Sequence, residues 1–258
     1  MSTPSTVPGR EPDPAPRPTT VELSLLGSRV SVSIEGAGAA TFEASMTRAW
    51  DRCLADPPLE PATETVRVAF EDDPEAMLAA HGSGALADTD ETGLMDTVAT
   101  RLNHLALETQ VGSMLLLHAC AVADPATGAT VVLVAPSGTG KTTASIALGR
   151  HFGYLSDEIA AINLDGSMVA FPKPLSVLID GTRPKRQVSP GELGLLEAPA
   201  EPWLAGMGLL ERVTEPAPVR VEPVPILEAL PPLAEQSSSL HLLERPLHLV
   251  AELLTRTG

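Results

Sequence analysis

The run Val131-Val132-Leu133-Val134-Ala135-Pro136-Ser137-Gly138-Thr139-Gly140-Lys141-Thr142-Thr143 constrains this chain more than any other stretch. Apolar residues that read as a strand pass into a loop of small residues, and Lys-Thr then opens a helix expected over Thr142–His151. A polyphosphate needs several aligned N–H donors with no side chains in the way. Gly138 and Gly140 let the backbone curl around such an anion, and the helix N-terminus adds its partial positive charge. Ser137, Gly138, Thr139, Gly140, Lys141, Thr142 and Thr143 are therefore the expected nucleotide-binding residues. Lys141 should reach the β- and γ-phosphates of ATP, and the Thr142 hydroxyl should ligate Mg2+. The usual pattern is G-x-x-x-x-G-K-[ST], and Ala135 stands here for its first glycine, where the strand closes and alanine is tolerable at negative φ. Pro136 removes one N–H donor and leaves those from Ser137 onward.

Gly153-Tyr154-Leu155-Ser156-Asp157-Glu158 comes next. A helix from Lys141 to His151 carries the chain roughly 15 Å from the phosphates. A strand of four or five residues returns it by ~13–17 Å. A right-handed crossover would then set Asp157 beside the loop. A carboxylate there can hold Mg2+ or take a proton from an attacking hydroxyl, the plain alternative being a solvated acidic turn. One strand upstream, His118 sits in Leu115-Leu116-Leu117-His118-Ala119-Cys120, and periodicity alone is equally consistent with a hydrogen-bonded core histidine.

The rest of the 258 residues reads as three parts: a disordered Pro-rich tail (1–20), a small α+β region (21–90) and an α/β domain (91–258) carrying the loop. Val21–Ile34 alternates around Gly27-Ser28 as a hairpin. Phe42–Leu54 reads as a short helix, Thr65–Phe70 as a strand and His81–Gly84 as a loop. Thr92–Gln110 has Leu94, Met95, Val98, Leu102, Leu105 and Ala106 on one helical face. Met114–Ala123 and Thr130–Val134 read as strands around the turn Asp124–Gly128. Prolines obscure the pattern beyond Val169, and Glu235–Leu254 reads as a final helix.

A net charge of −16 argues against a nucleic-acid surface, which needs a basic footprint. No apolar run reaches ~18–20 residues and no signal-peptide pattern opens the chain, so a cytoplasmic protein with no membrane association is expected. Cys53 and Cys120 offer neither a disulfide framework nor metal-ligand spacing, and Cys120 reads as a small buried hydrophobe. Lys173, stiffened by Pro172 and Pro174, reads either as a phosphate or substrate contact or as part of a structured loop. Arg183, Lys185 and Arg186 form the dense basic cluster and a weaker candidate for such a contact.

The strand Leu116-Leu117-His118-Ala119, the loop Ala135–Thr143 after a hairpin, and Gly153–Glu158 after the helix match one family in order and spacing. Over Leu115 to Leu178, about a quarter of the chain, the sequence resembles the catalytic domain of the HPr kinase/phosphorylase family, in particular its short bacterial relatives. The resemblance implies an α/β fold with a P-loop kinase core of the HPr kinase/phosphoenolpyruvate carboxykinase type, preceded by the small α+β region. It implies phosphoryl transfer from ATP, with Mg2+, to a serine hydroxyl. Asp157 is similar to the family's general base, Glu158 stands where a second aspartate is usual, and His118 corresponds to the histidine that interacts with the acidic group. Phe171–Leu175 and Gly181–Pro190 replace the family's arginine- and asparagine-containing C-terminal signature, so the acceptor implied is a protein or peptide other than HPr. Family members assemble into oligomers, which implies a homo-oligomer. An ATP-dependent sensor or assembly factor and a small-molecule kinase share the same motifs and stay open.

Overall fold

This computed structural model describes residues 18–56, 61–179, 181–213, 215 and 217–257. The tail expected over 1–20 falls outside them as far as residue 17, and the first strand begins at Thr19. Strands β1 (Thr19–Leu25) and β2 (Ser28–Glu35) form the antiparallel hairpin. Its turn is Leu26-Gly27, at φ 49° and 86°, one residue earlier than Gly27-Ser28. Two positive φ values match the twist of the flanking strands. Leu26 accepts that strained conformation while 2% exposed, so burial offsets the backbone cost.

Helix α1 (Ala39–Ala49) crosses to β3 (Glu64–Phe70), parallel to β2, and α2 (Pro74–Gly82) crosses to β4 (Leu86–Asp88), parallel to β3. The sheet order is β1-β2-β3-β4. Helix α1 buries Ala39, Phe42, Met46 and Ala49, which spacings of three and four put on one face. It stops five residues short of the expected Leu54, and a 3-10 turn covers Asp51–Cys53. The expected loop at His81–Gly84 is partly the end of α2. That helix buries none of its residues, so no apolar stripe announced it. Its signal was the Asp73 cap, which accepts from Ala76 N at 2.9 Å, with Pro74 in the first turn.

Helix α3 (Glu91–Gln110) is capped by Asp90, whose carboxylate accepts from Gly93 N at 2.8 Å. Its buried face is the expected stripe with Ala99 added. One apolar cluster joins this face to the first sheet, to Leu116, Ile159 and Ala161 of a second sheet, and to Phe171 just beyond that sheet's last strand.

The second sheet is built on β5 (Leu115–Ala123), with β6 (Ala129–Val134) antiparallel to it. Helix α4 (Lys141–Gly149) leads from β6 to β7 (Gly153–Ser156) and β8 (Ile159–Ile162). Both strands run antiparallel to β5, β7 beside Ala121–Ala123 and β8 beside Leu115–His118. Gly153 is needed where β7 starts, because a Cβ there would meet Glu197 O at 2.6 Å. β9 (Met168–Val169) adds to β8, β10 (Leu175–Ile179) and β11 (Thr182–Val188) form a hairpin against α3, and β12 (Trp203–Leu209) joins β6 in parallel. The order is β12-β6-β5-β8-β9. Leu116 faces the α3 side; Leu115, Leu117, Ala119, Ala121 and Ala123 face the other, with Ala229, Leu233, Val250 and Leu253.

Those last four belong to α5 (Ile226–Glu235) and α6 (Pro246–Thr257). Of the single helix expected over Glu235–Leu254, only the part from Pro246 onward is α-helix: α5 ends at Glu235, and a short strand and a 3-10 turn (Leu240–Leu242) come between. β13 (Ser237–Ser238) pairs with Leu116–Leu117 of β5, and Ser239 turns away at φ 56°. Unpaired backbone on the central strand recruits these serines, which a helix would deny it. The chain is mixed α/β, and no helix among the described residues is long and apolar enough to cross a membrane.

Candidate functional site

Asp157-Glu158 interrupts what would otherwise be one strand, β7 running into β8. A bend covers the dipeptide, while Ala119 N still donates to Glu158 O at 3.1 Å; the register shift against β5 lies earlier, at Leu155 opposite Ala121 and Val122. Adjacent residues of a regular strand point to opposite faces. The bend at Asp157-Glu158 is not bound by that alternation. Here both carboxylates reach one cation: Lys173 Nζ lies 3.1 Å from Asp157 Oδ1 and 3.1 Å from Glu158 Oε2.

The loop after β6 lies against the same dipeptide. Thr142 Oγ1, at the start of α4, donates to Asp157 Oδ2 at 3.0 Å. Gly140 caps α4 at φ 116° with no side-chain hydrogen bond, and Gly138 has φ 82°. A Cβ at either glycine would meet no atom within 4 Å. The loop therefore curls around open space with uncapped helix N–H groups beside it, which fits a phosphate chain. Lys141 Nζ donates to Ala135 O at 2.6 Å and Pro136 O at 3.0 Å. Burial holds its pKa below the usual lysine value, against the opposing pull of Cys120, Glu158 and Asp157. A phosphate would give this buried charge an anionic partner in place of two neutral carbonyls. Ser137, Gly138 and Thr143 are exposed, Thr139 and Gly140 half-buried. Thr142 and Asp157 offer two hard oxygens suited to Mg2+. Among the described residues no three His, Cys, Asp or Glu side chains are grouped to hold a metal by themselves.

Asp157 is 3% exposed. Besides Thr142 and Lys173, its Oδ1 accepts from the Tyr154 hydroxyl at 3.3 Å. That phenol is pushed well above its usual pKa, by burial first and by the Asp157 charge second. Lys173 is 1% exposed. Burial works to lower its pKa, yet the two carboxylates outweigh it and push it up to about 12. Of the two readings open for Lys173, an outward phosphate contact is therefore not what this fold provides. Glu158 also accepts from Asn103 Nδ2 of α3 at 3.0 Å. Burial alone would raise its pKa, but Lys173, with His118 and Lys185 adding to it, holds it below the usual value.

His118 is the one residue of β5 that is not fully buried. It opens with Glu158, Thr100, Asn103, His104 and Ser238 into a cavity of about 150 Å³ between α3 and the second sheet. Burial first, and the Lys141 charge second, hold its pKa below the usual histidine value, against the opposing pull of Glu158 and Asp157. No side-chain hydrogen bond joins His118 to Asp157; its neighbour in the cavity is Glu158.

The basic cluster lies on β11, where Lys185 is near enough for its charge to act on Glu158 while the two arginines have other partners. Arg183 sits 3.9 Å from Asp96 and Arg186 3.7 Å from Glu192, both largely exposed, and Lys185 N donates to Asp96 at 3.2 Å. Cys120 is 1% exposed, as its apolar run implied. Asn103 and Tyr154 escaped the sequence reading. Tyr154 lay inside the motif beside Asp157, whereas Asn103 carried no signal beyond a polar residue near the apolar stripe of α3. No protein-family model matches the chain, and no curated protein matches it.

Proposed function

We propose that this protein is an ATP-binding, HPr-kinase-like phosphotransferase that uses Mg2+ and passes the γ-phosphate to a serine hydroxyl of a protein or peptide. The observation that carries the reading is the 3.0 Å contact between Thr142 Oγ1 and Asp157 Oδ2. It brings an open glycine loop, a helix N-terminus and the acidic pair of the β7–β8 bend to one point, although they are separate in sequence. The N–H groups of Ser137–Thr143 and the Lys141 ammonium hold the phosphates. Thr142 and Asp157 hold Mg2+, which offsets phosphate charge when bound with the nucleotide. Both Asp157 oxygens are engaged within the protein, whereas Glu158 is 39% exposed at its side chain and borders the cavity with His118. Glu158 is thus better placed than Asp157 to accept a hydroxyl proton, with His118 orienting the incoming group.

The cavity also bears on the acceptor. Pockets for small molecules usually span ~300–1,000 Å³, against about 150 Å³ here. That volume suits one small side chain presented by a larger partner better than a whole metabolite. The test is incubation with Mg2+ and γ-labelled ATP, with lysate of the source organism as acceptor, beside Lys141→Ala. A labelled protein band lost in the variant supports the kinase. Phosphate release with no labelled band turns the reading to an ATP-dependent sensor. Calorimetry that finds no ATP binding sinks both.

A further inference from the structure

The strongest unassigned feature is the buried ammonium of Lys173. A lysine has three N–H donors, and here each has a partner: Asp157 Oδ1 and Glu158 Oε2 at 3.1 Å, and Pro174 O at 3.2 Å. No donor is left for a phosphate. Its approach is stiffened by Pro172 and Pro174, and the Tyr154 hydroxyl spans Asp157 Oδ1 and Lys173 O at 3.3 Å each. Two adjacent carboxylates that converge on one point from a bend, one of them buried, repel each other unless a cation lies between them.

We infer that Lys173 takes the place of a divalent cation between Asp157 and Glu158, and so works as a positioning residue. Its charge claims Asp157 Oδ1 and leaves Oδ2 turned to Thr142, at the mouth of the glycine loop. The acidic pair by itself then binds no metal, and a divalent ion enters only with the nucleotide, on the Thr142 side. For the part of Thr142 the inference rests on the nucleotide reading; the metal-free state of the pair does not.

The test is done without nucleotide, on the full chain, by following free Mn2+ through its electron paramagnetic resonance signal. The wild type is expected to take up no Mn2+ at millimolar concentration. Lys173→Met is expected to take up about one equivalent, at least tenfold more tightly than any wild-type uptake, and to lose it when Asp157→Asn is added. A merely structural lysine would lower stability without creating a cation site. Should Lys173→Met not fold, Lys173→Gln is read in its place, since its amide keeps hydrogen bonds but no charge. The inference is overturned if wild-type protein binds Mn2+ and Asp157→Asn abolishes it, or if the folded Lys173 variant binds no more than wild type. Calorimetry with Mg2+ and ATP on wild-type protein separates the two readings: nucleotide binding that survives such an outcome leaves the proposed function standing.

Discussion

Removing both sides of the Asp157–Lys173 pair should destabilise the protein by less than the sum of removing each alone. Both side chains are almost fully buried, at 3% and 1% exposure, and lie 3.1 Å apart. Breaking a buried ion pair from one side costs about 3–5 kcal/mol, because the surviving charge is left without its partner. Lys173→Met falls in that range, since it leaves Asp157 and Glu158 facing each other. Asp157→Asn should cost less, roughly 2–3 kcal/mol, because Glu158 still pairs with the ammonium and is itself partly solvated. At ~2–4 °C per kcal/mol for a chain of this size, Asp157→Asn should melt ~4–12 °C below wild type. The double variant removes both charges together, so its cost should fall short of the sum by ~2 kcal/mol or more. The assay is urea and thermal unfolding of the four proteins at neutral pH, without nucleotide or divalent ions, followed by circular dichroism. An Asp157→Asn protein melting within ~1 °C of wild type, or costs additive to within ~0.5 kcal/mol, would refute the pairing as an energetic unit.

Gly140→Ala meets open space but must hold φ 116°, so it should cost ~1–2 kcal/mol from backbone strain alone; an unchanged melting temperature would contradict the loop geometry. Cys53 is 2% exposed and its thiol is pushed up to about 12, chiefly by burial. Its thiolate fraction near pH 8 is then ~10⁻⁴, and a thiol reagent should label it only after denaturation; prompt labelling of folded protein would show the site to be open. His118→Gln should lower turnover at least tenfold at saturating ATP, ~1.4 kcal/mol, while melting within a few degrees of wild type. A variant that melts early but works normally when folded would return His118 to the core. Because the folded pKa of His118 is depressed, its contribution to stability is complete above the unfolded value of ~6.5 and declines as pH falls below it. NMR of the imidazole should show a midpoint below ~6.5, and one above it would reverse that sign.

What the sequence determined by itself was whatever depends on neighbours along the chain. The Gly138–Thr143 turn into α4, the apolar face of α3 and the β5–β6 hairpin all follow from local φ/ψ demands and from periodicity, and each lies where the residues implied. The crossover distance even placed Asp157 beside Thr142, because a helix and a strand have fixed rises per residue. Only the tertiary structure decided the partners that arrive from elsewhere. Lys173 looked as free to meet solvent as to be buried, and its ammonium became internal because two adjacent carboxylates at the bend between β7 and β8 converge on it. Asn103 gave no signal at all, since its contact with Glu158 joins residues that only the packing of α3 on the second sheet brings together. Ser237–Ser238 left the expected helix for the same kind of reason: pairing with β5 satisfies backbone groups on two segments far apart in the chain, and no local propensity records that demand.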